Sequence, residues 1–166
     1  MPLHRLHNEN WGFETNCFVC EPTNERGLQI PFFHDDESDL VIAEFALTDE
    51  FSGAPALVHG GVTLAVLDEA MAWACIAVGW QWAVTTETTT RFHRAVRVGT
   101  RYRVEARVTG QDSGTSVMQT GAKLFDRRGD LRVEAHASFT TLGLAQATRI
   151  AGAEIGVANR RFVTDG

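Results

Sequence analysis

Cysteine and long uncharged runs are scarce in this chain, and each scarcity excludes a class of protein. Only 3 of the 166 residues are cysteine, an odd number that provides no disulfide framework. Charged residues interrupt every stretch long enough to cross a bilayer, so no membrane-spanning segment is expected. Residues 1–5 lack the apolar core of a signal peptide. We therefore expect a cytoplasmic protein.

Basic charge is also in the minority. Lys and Arg number 15 against 21 Asp and Glu, a formal net charge of −6, which argues against a nucleic acid or an anionic membrane as the main partner. The 44% hydrophobic and 22% charged residues are ordinary values for a globular protein. The length and the lack of internal repeats predict a single domain over residues 1–166, with an irregular N-terminal segment over 1–27 and an irregular tail over 143–166.

Alternating apolar and polar residues predict strands on both sides of one long apolar segment. That segment, residues 60–78, is apolar on nearly every side, which is typical of a helix enclosed by other elements. Short turns between the later strands favour an antiparallel meander. We thus predict an α+β fold in which a curved antiparallel sheet surrounds one long central helix. The predicted strands cover residues 28–34, 40–47, 84–93, 102–108, 115–125 and 131–139.

The beginning of the predicted helix carries the most informative residues. Gly60 and Gly61 follow His59 and leave backbone N–H groups accessible, at a position where the helix dipole favours negative charge. Two adjacent acids, Asp68 and Glu69, interrupt the apolar run further along. An ionised carboxylate in such surroundings is costly unless it is paired or has a function. The pattern therefore predicts an active site made of an anion hole and a nearby acid.

The element order, the His59-Gly60-Gly61 triplet and Asp68 nine residues past the histidine together resemble the hotdog-fold acyl-CoA thioesterases of the phenylacetate-pathway and human thioesterase-superfamily type. The resemblance covers about residues 28–142. It continues in residues 83–94, a threonine-rich strand that ends in an aromatic residue, one variable residue and an arginine. The segment 16–28 is also similar to the opening of some members. The resemblance implies the hotdog fold.

The family's site residues can be carried over to matching positions. In that family two subunits pair their sheets edge to edge, and each active site takes residues from both. The resemblance implies that the N–H of Gly60 polarises the thioester carbonyl and that Asp68 of the partner subunit acts as a general base or a nucleophile. Thr85 stands where the family often places a hydroxyl that orients the water. His59 is either a catalytic base or a residue that fixes the Gly-Gly turn through a backbone bond.

Substrate contacts are assigned less sharply. Ser52 stands where the family often has a long polar residue, and Ala95 stands where a proline is usual. Candidate substrate-binding residues are Gly61, Ser52, Arg94 and Glu69. Arg94 is our candidate for a coenzyme A phosphate contact, because arginine pairs well with phosphate. Adjacent helical residues point about 100° apart, so only one of the two acids can face a given pocket. The spacing favours Asp68 as that acid, and we interpret Glu69 as a helix-surface or interface charge.

The three cysteines are not expected to do chemistry. Cys17 and Cys20 have the spacing of zinc ligands, but a structural zinc site needs four ligands, and no second Cys-x-x-Cys exists; His34 or His4 would have to be recruited. A redox pair is the other alternative. We interpret these cysteines as semi-buried thiols under the first loop, and Cys75 as a core residue. No metal and no cofactor are predicted.

The most favoured function is hydrolysis of an acyl-CoA thioester by a homo-oligomer, a dimer or a tetramer. Edge strands need covering, and pairing them across a dimer achieves this. One alternative is a hotdog hydratase or dehydratase that acts on an enoyl or hydroxyacyl thioester with His59 and Asp68. Another is a non-catalytic module that binds acyl-CoA, because a fold alone does not fix a function.

Overall fold

A computed structural model describes residues 2–165, and one long helix lies at its centre. Helix α1 (Gly60–Ala77) buries Val66, Leu67, Ala70 and Met71 completely. By length and composition alone α1 could also cross a membrane, a test that the core helices of folded domains pass as well. Here it packs against five strands of the main sheet.

The main sheet has seven strands: β1 (Leu3–Arg5), β2 (Phe33–Asp35), β3 (Leu40–Phe45), β6 (Ala83–Phe92), β7 (Tyr102–Gln111), β8 (Val117–Asp126) and β9 (Leu131–Thr141). They are antiparallel and lie in the order β1-β2-β3-β7-β8-β9-β6. The predicted α+β class, an antiparallel sheet around one helix, is confirmed. The strand β6 forms one edge of this sheet, and most of its residues are exposed. A second, small sheet holds β4 (Ser52–Ala54) and β5 (Leu57–Val58).

The strand predicted over residues 28–34 is wrong in its first half. Only Phe33 onward joins the sheet. Pro31 cannot donate to a strand ladder, and Gln29 has a φ of +53°, which breaks the extended conformation. The N–H groups of Leu28 and Ile30 instead donate to the carbonyls of Phe18 and Val19. This segment therefore holds the turn that contains the cysteine pair.

The chain ends are more ordered than the sequence predicts. The N-terminal segment contributes β1 to the sheet edge. The tail forms helix α2 (Leu144–Ala151), which ends at Gly152 with a φ of +67°, and a 3-10 turn (Val157–Phe162). The sequence periodicity does not reveal α2, because a helix this short depends on tertiary packing for its stability. The tail and the N-terminal segment share a second apolar cluster, of which the buried members are Trp11, Leu142, Ala147, Ile155, Phe162 and Val163.

One partly buried hydrogen bond joins the two chain ends. Asn159 is 7% exposed and its Nδ2 donates to the carbonyl of Glu9 at 2.7 Å. Asn159→Ala should lower the free energy of unfolding by about 1–2 kcal/mol, because the carbonyl loses its buried partner. Urea unfolding measures this, with Gln111→Ala at an exposed strand end as the control. Equal unfolding midpoints for the two variants would contradict the role of this bond.

Candidate active site

The N-terminus of α1 leaves one backbone donor free. His59 caps the helix with φ −59° and ψ 132°, and its Nδ1 accepts the N–H of Gly61 at 2.9 Å. The N–H groups of Val62 and Thr63 both donate to the His59 carbonyl. Among residues 2–165 the Gly60 N–H has no acceptor. It is therefore the N–H that remains for an external anion, aided by the helix dipole.

His59 occupies the structural position that the sequence left as one of two alternatives. Its Nδ1 accepts a hydrogen bond, so the ring proton resides on Nε2 in the neutral form. A Cβ on residue 61 would lie 3.2 Å from this Nδ1, so glycine leaves the room that the bond needs. This arrangement fixes the turn; a catalytic role for His59 stays a prediction.

A side-chain hydrogen bond joins two of the predicted catalytic residues, Asp68 and Thr85. Thr85 Oγ1 donates to Asp68 Oδ1 at 2.8 Å. Asp68 is partly buried, whereas Thr85 at the start of the edge strand is exposed. Burial raises the pKa of Asp68 above its usual range, and the hydrogen bond from Thr85 opposes that rise. The pair thus presents an oriented carboxylate beside an open strand edge.

Within one chain, the acid and the free donor do not meet. Gly60 and Asp68 are eight positions apart, which is about 12 Å along a helix. Strand β6 connects the two places: Thr85 contacts Asp68 near one end of the strand, and Phe92 ends it beside the helix start. A Cβ on Gly60 would lie 3.7 Å from Phe92 Cζ. The two halves of the site therefore lie at opposite ends of an exposed edge strand.

The other predicted contacts group around the helix start. Ser52 pairs with Val58 in the small sheet, directly before His59, so the fold brings Ser52 close to the glycines. Arg94 lies two residues beyond the end of β6, and its Nη1 is 3.4 Å from Asp130 Oδ2 in an exposed ion pair. Gly61 uses its N–H for the cap, which leaves Gly60 as the donor of the two.

Glu69 is partly buried and does not lie on an open helix surface, one of the two positions that the sequence predicts for it; an interface position stays a prediction. Glu69 groups with Cys17 and Cys20, and one oxygen and the two sulfurs all lie within 4.8 Å of one another. Desolvation, followed by the repulsion from Cys17, raises the pKa of Glu69 to about 8. Its role in substrate binding stays a prediction. The sequence offered no sign of this contact, because these residues lie far apart along the chain.

Comparison with known proteins identifies the superfamily that these features resemble. The family model described as the thioesterase superfamily matches residues 56–133, a span that includes the small sheet's second strand, α1, the edge strand and the next two strands. A search of curated proteins by sequence finds no match.

Solved structures share the fold at low identity. A thioesterase superfamily protein is 22% identical with a TM-score of 0.69, covering 75% of this chain and 60% of its own, so the match spans less than two thirds of that protein. The E. coli PaaI protein from the phenylacetic acid degradation operon is 20% identical with a TM-score of 0.56, covering 61% and 75%. A Streptococcus mutans protein bound to acetyl CoA is 15% identical with a TM-score of 0.58, covering 63% and 82%. The predicted resemblance and the hotdog fold are confirmed.

Proposed function

From a hotdog fold whose residues 56–133 match the thioesterase superfamily, we propose that this protein is a homo-oligomeric acyl-CoA thioesterase. The observation that carries the proposal is the division of the site along β6. A hydroxyl-bound carboxylate lies near one end of this strand, and a free helix N–H lies near the other. The first half has a candidate base and the second has the N–H donor, so the proposed chemistry needs both.

An antiparallel pairing of two edge strands would unite the halves. If β6 of one subunit pairs with β6 of a second subunit about a two-fold axis near Thr88 and Thr89, Thr85 comes opposite the partner's Phe92. The carboxylate of Asp68 then approaches the partner's Gly60. The same pairing covers the exposed edge of the seven-stranded sheet, which an isolated subunit leaves open. We therefore propose two shared sites per dimer.

The proposed reaction is the addition of water to the thioester carbonyl. Thr85 orients the carboxylate of Asp68, which removes a proton from the attacking water. The Gly60 N–H of the other subunit donates to the carbonyl oxygen, whose negative charge grows as water adds. Collapse of the tetrahedral intermediate breaks the carbon–sulfur bond and releases the coenzyme A thiol and the acid. Asp68 could instead attack as a nucleophile, with water hydrolysing the resulting anhydride.

The substrate proposal rests on the surroundings of the helix start. Arg94 supplies a cation for a coenzyme A phosphate, and Ser52 with Gly61 borders the carbonyl position. The ion pair between Arg94 and Asp130 is exposed, and such pairs contribute little to stability. The Arg94 guanidinium can therefore exchange Asp130 for phosphate at small cost. We propose this contact for Arg94 on that basis.

The deciding experiment is thiol release from short-chain, long-chain and aryl acyl-CoA substrates. We expect release of one thiol per acid formed from at least one class. A change in enoyl absorbance without thiol would replace hydrolysis with hydration. Tight binding of acyl-CoA with no product of either kind would indicate a non-catalytic binding module. Either of these last two results would overturn the proposal.

Thr85→Val tests the orienting hydroxyl. Because it removes one hydrogen bond to a partly buried carboxylate, we expect kcat to fall about tenfold with KM nearly unchanged. Thr109→Val is the matched control, because Thr109 is an exposed threonine of β7, an interior strand that lies away from the β6 edge. Equal kcat values in the two variants would argue against a role for the Thr85 hydroxyl.

A further inference from the structure

Three potential metal ligands converge beneath the N-terminal segment. The Sγ atoms of Cys17 and Cys20 and one carboxylate oxygen of Glu69 lie within 4.8 Å of one another. In a tetrahedral zinc site the ligand atoms are separated by about 3.5–3.8 Å, because zinc–sulfur and zinc–oxygen bonds are roughly 2.3 and 2.1 Å long. Small rotations of the three side chains would therefore bring them to coordination distance.

The turn that carries the cysteines is held in place by its own hydrogen bonds. The N–H of Cys20 donates to Cys17 Sγ at 3.2 Å. Backbone donors of the following segment fix the intervening carbonyls, from Leu28 to Phe18 at 2.7 Å and from Ile30 to Val19 at 2.9 Å. Val19 is buried in the core. The turn thus projects both sulfurs toward α1 without relying on a bond between them.

Donors are also aimed at the sulfurs. Cys17 Sγ accepts the N–H of Cys20, and Cys20 Sγ accepts Asn8 Nδ2 at 3.1 Å. Such outer N–H groups orient and stabilise thiolates that bind metal. The cluster can hold two thiolates and a carboxylate, and a divalent cation would balance this charge.

Two of the three residues, Cys17 and Glu69, border a cavity. The cavity has a volume of about 240 Å³ and is also lined by Trp73, among other residues. Trp73 lies one helical turn beyond Glu69, on the same face of α1. It is 5% exposed, and its Nε1 has no hydrogen-bond partner in the part of the chain that the structure describes. An oxygen ligand on a metal in this cavity would give that buried donor an acceptor.

We propose that Cys17, Cys20 and Glu69 bind a zinc ion, with a water molecule or another small oxygen ligand as the fourth ligand on the cavity side. Two thiolates favour zinc over magnesium or calcium. Binding releases the two thiol protons to solvent and changes no oxidation state. The ion would fasten the N-terminal segment to the central helix.

A disulfide between Cys17 and Cys20 explains the cluster less well. A redox pair needs no carboxylate, yet Glu69 is held partly buried against both sulfurs. A disulfide would also leave that carboxylate beside two neutral sulfur atoms, with no cation to balance its charge. The metal site accounts for all three residues at once.

The test begins with the wild-type protein, which is purified without a histidine tag and analysed for metal. We expect about one zinc per chain. After removal of zinc under reducing conditions, a Co²⁺ titration should give thiolate-to-cobalt charge-transfer absorption and the strong visible bands of a tetrahedral site. Added Zn²⁺ should displace the cobalt and raise the Tm. These readouts do not depend on thioesterase activity, so failure of the proposed function leaves them unaffected.

Variants then assign the ligands. Cys17→Ser, Cys20→Ser and Glu69→Gln should each weaken metal binding by at least about tenfold. Cys75→Ala is the matched control, since Cys75 lies in the same helix but is buried in the core away from the cluster; it should bind like the wild type. A wild-type protein that binds neither ion after reduction would overturn the proposal. If Glu69→Gln bound metal with wild-type affinity, Glu69 would not be a ligand and the site as proposed would be wrong.

Discussion

Asp68→Asn should lower kcat by about a hundredfold or more. Asparagine has nearly the same shape and can still accept the hydrogen bond that Thr85 donates at 2.8 Å. It cannot take a proton from water, nor can it attack the thioester. The fold should therefore persist while the chemistry is lost. Initial rates of thiol release on the best acyl-CoA substrate measure the effect, and circular dichroism checks the fold.

Two further variants make this result specific. Asp112→Asn removes a carboxylate from the exposed turn between β7 and β8 and should leave kcat unchanged. Glu69→Gln removes the neighbouring acid, whose surroundings are the two cysteines. If Glu69→Gln abolished turnover and Asp68→Asn retained it, the choice between the adjacent acids would be wrong. Full activity in both would exclude carboxylate catalysis from α1.

The central part of the fold was predictable because its signals are local. The apolar run that predicts a helix over 60–78 forms α1 (Gly60–Ala77), and the threonine-rich run predicted over 84–93 forms β6 (Ala83–Phe92). The strand predicted over residues 28–32 is absent because the N–H groups of Leu28 and Ile30 donate to the turn that holds the cysteines and not to a neighbouring strand. The prediction of an irregular tail missed α2, because a short helix is stabilised by contacts with distant residues. Here those contacts are made in the cluster around Trp11.

The candidate site was predictable only in part. The sequence and the resemblance named Gly60, Asp68 and Thr85, and the structure joins Asp68 to Thr85. The separation of Asp68 from Gly60, about 12 Å along the helix, follows from the sequence, but its meaning depends on β6 lying at a sheet edge. The grouping of Glu69 with Cys17 and Cys20 could not be predicted, because Glu69 is far from the two cysteines along the sequence.

Gly60→Pro should lower kcat by about a hundredfold to a thousandfold through the loss of a single N–H donor. Residue 60 is the first residue of α1, the position at which proline is best tolerated in a helix. His59 has a ψ of 132°, which is compatible with a following proline. Proline therefore removes the free N–H with little disturbance of the backbone. Thiol release measures the loss.

Gly60→Ala is the matched control for this change. It keeps the N–H, and its Cβ would lie 3.7 Å from Phe92 Cζ, an ordinary contact. We expect it to retain most of the wild-type kcat. Equal losses in the two variants would show that space at Phe92, and not the donor, determines the rate.

Mixing the two inactive proteins tests whether the site is shared between subunits. In a hybrid dimer of Asp68→Asn and Gly60→Pro subunits, shared sites give one site with both defects and one with neither. Random exchange of subunits should then restore roughly a quarter of the wild-type rate, because half of the dimers are hybrids with one working site each. Sites built within single chains would each keep one defect and show no recovery. Recovery would therefore require that Asp68 acts across the β6 edge on a substrate held by the other subunit's Gly60.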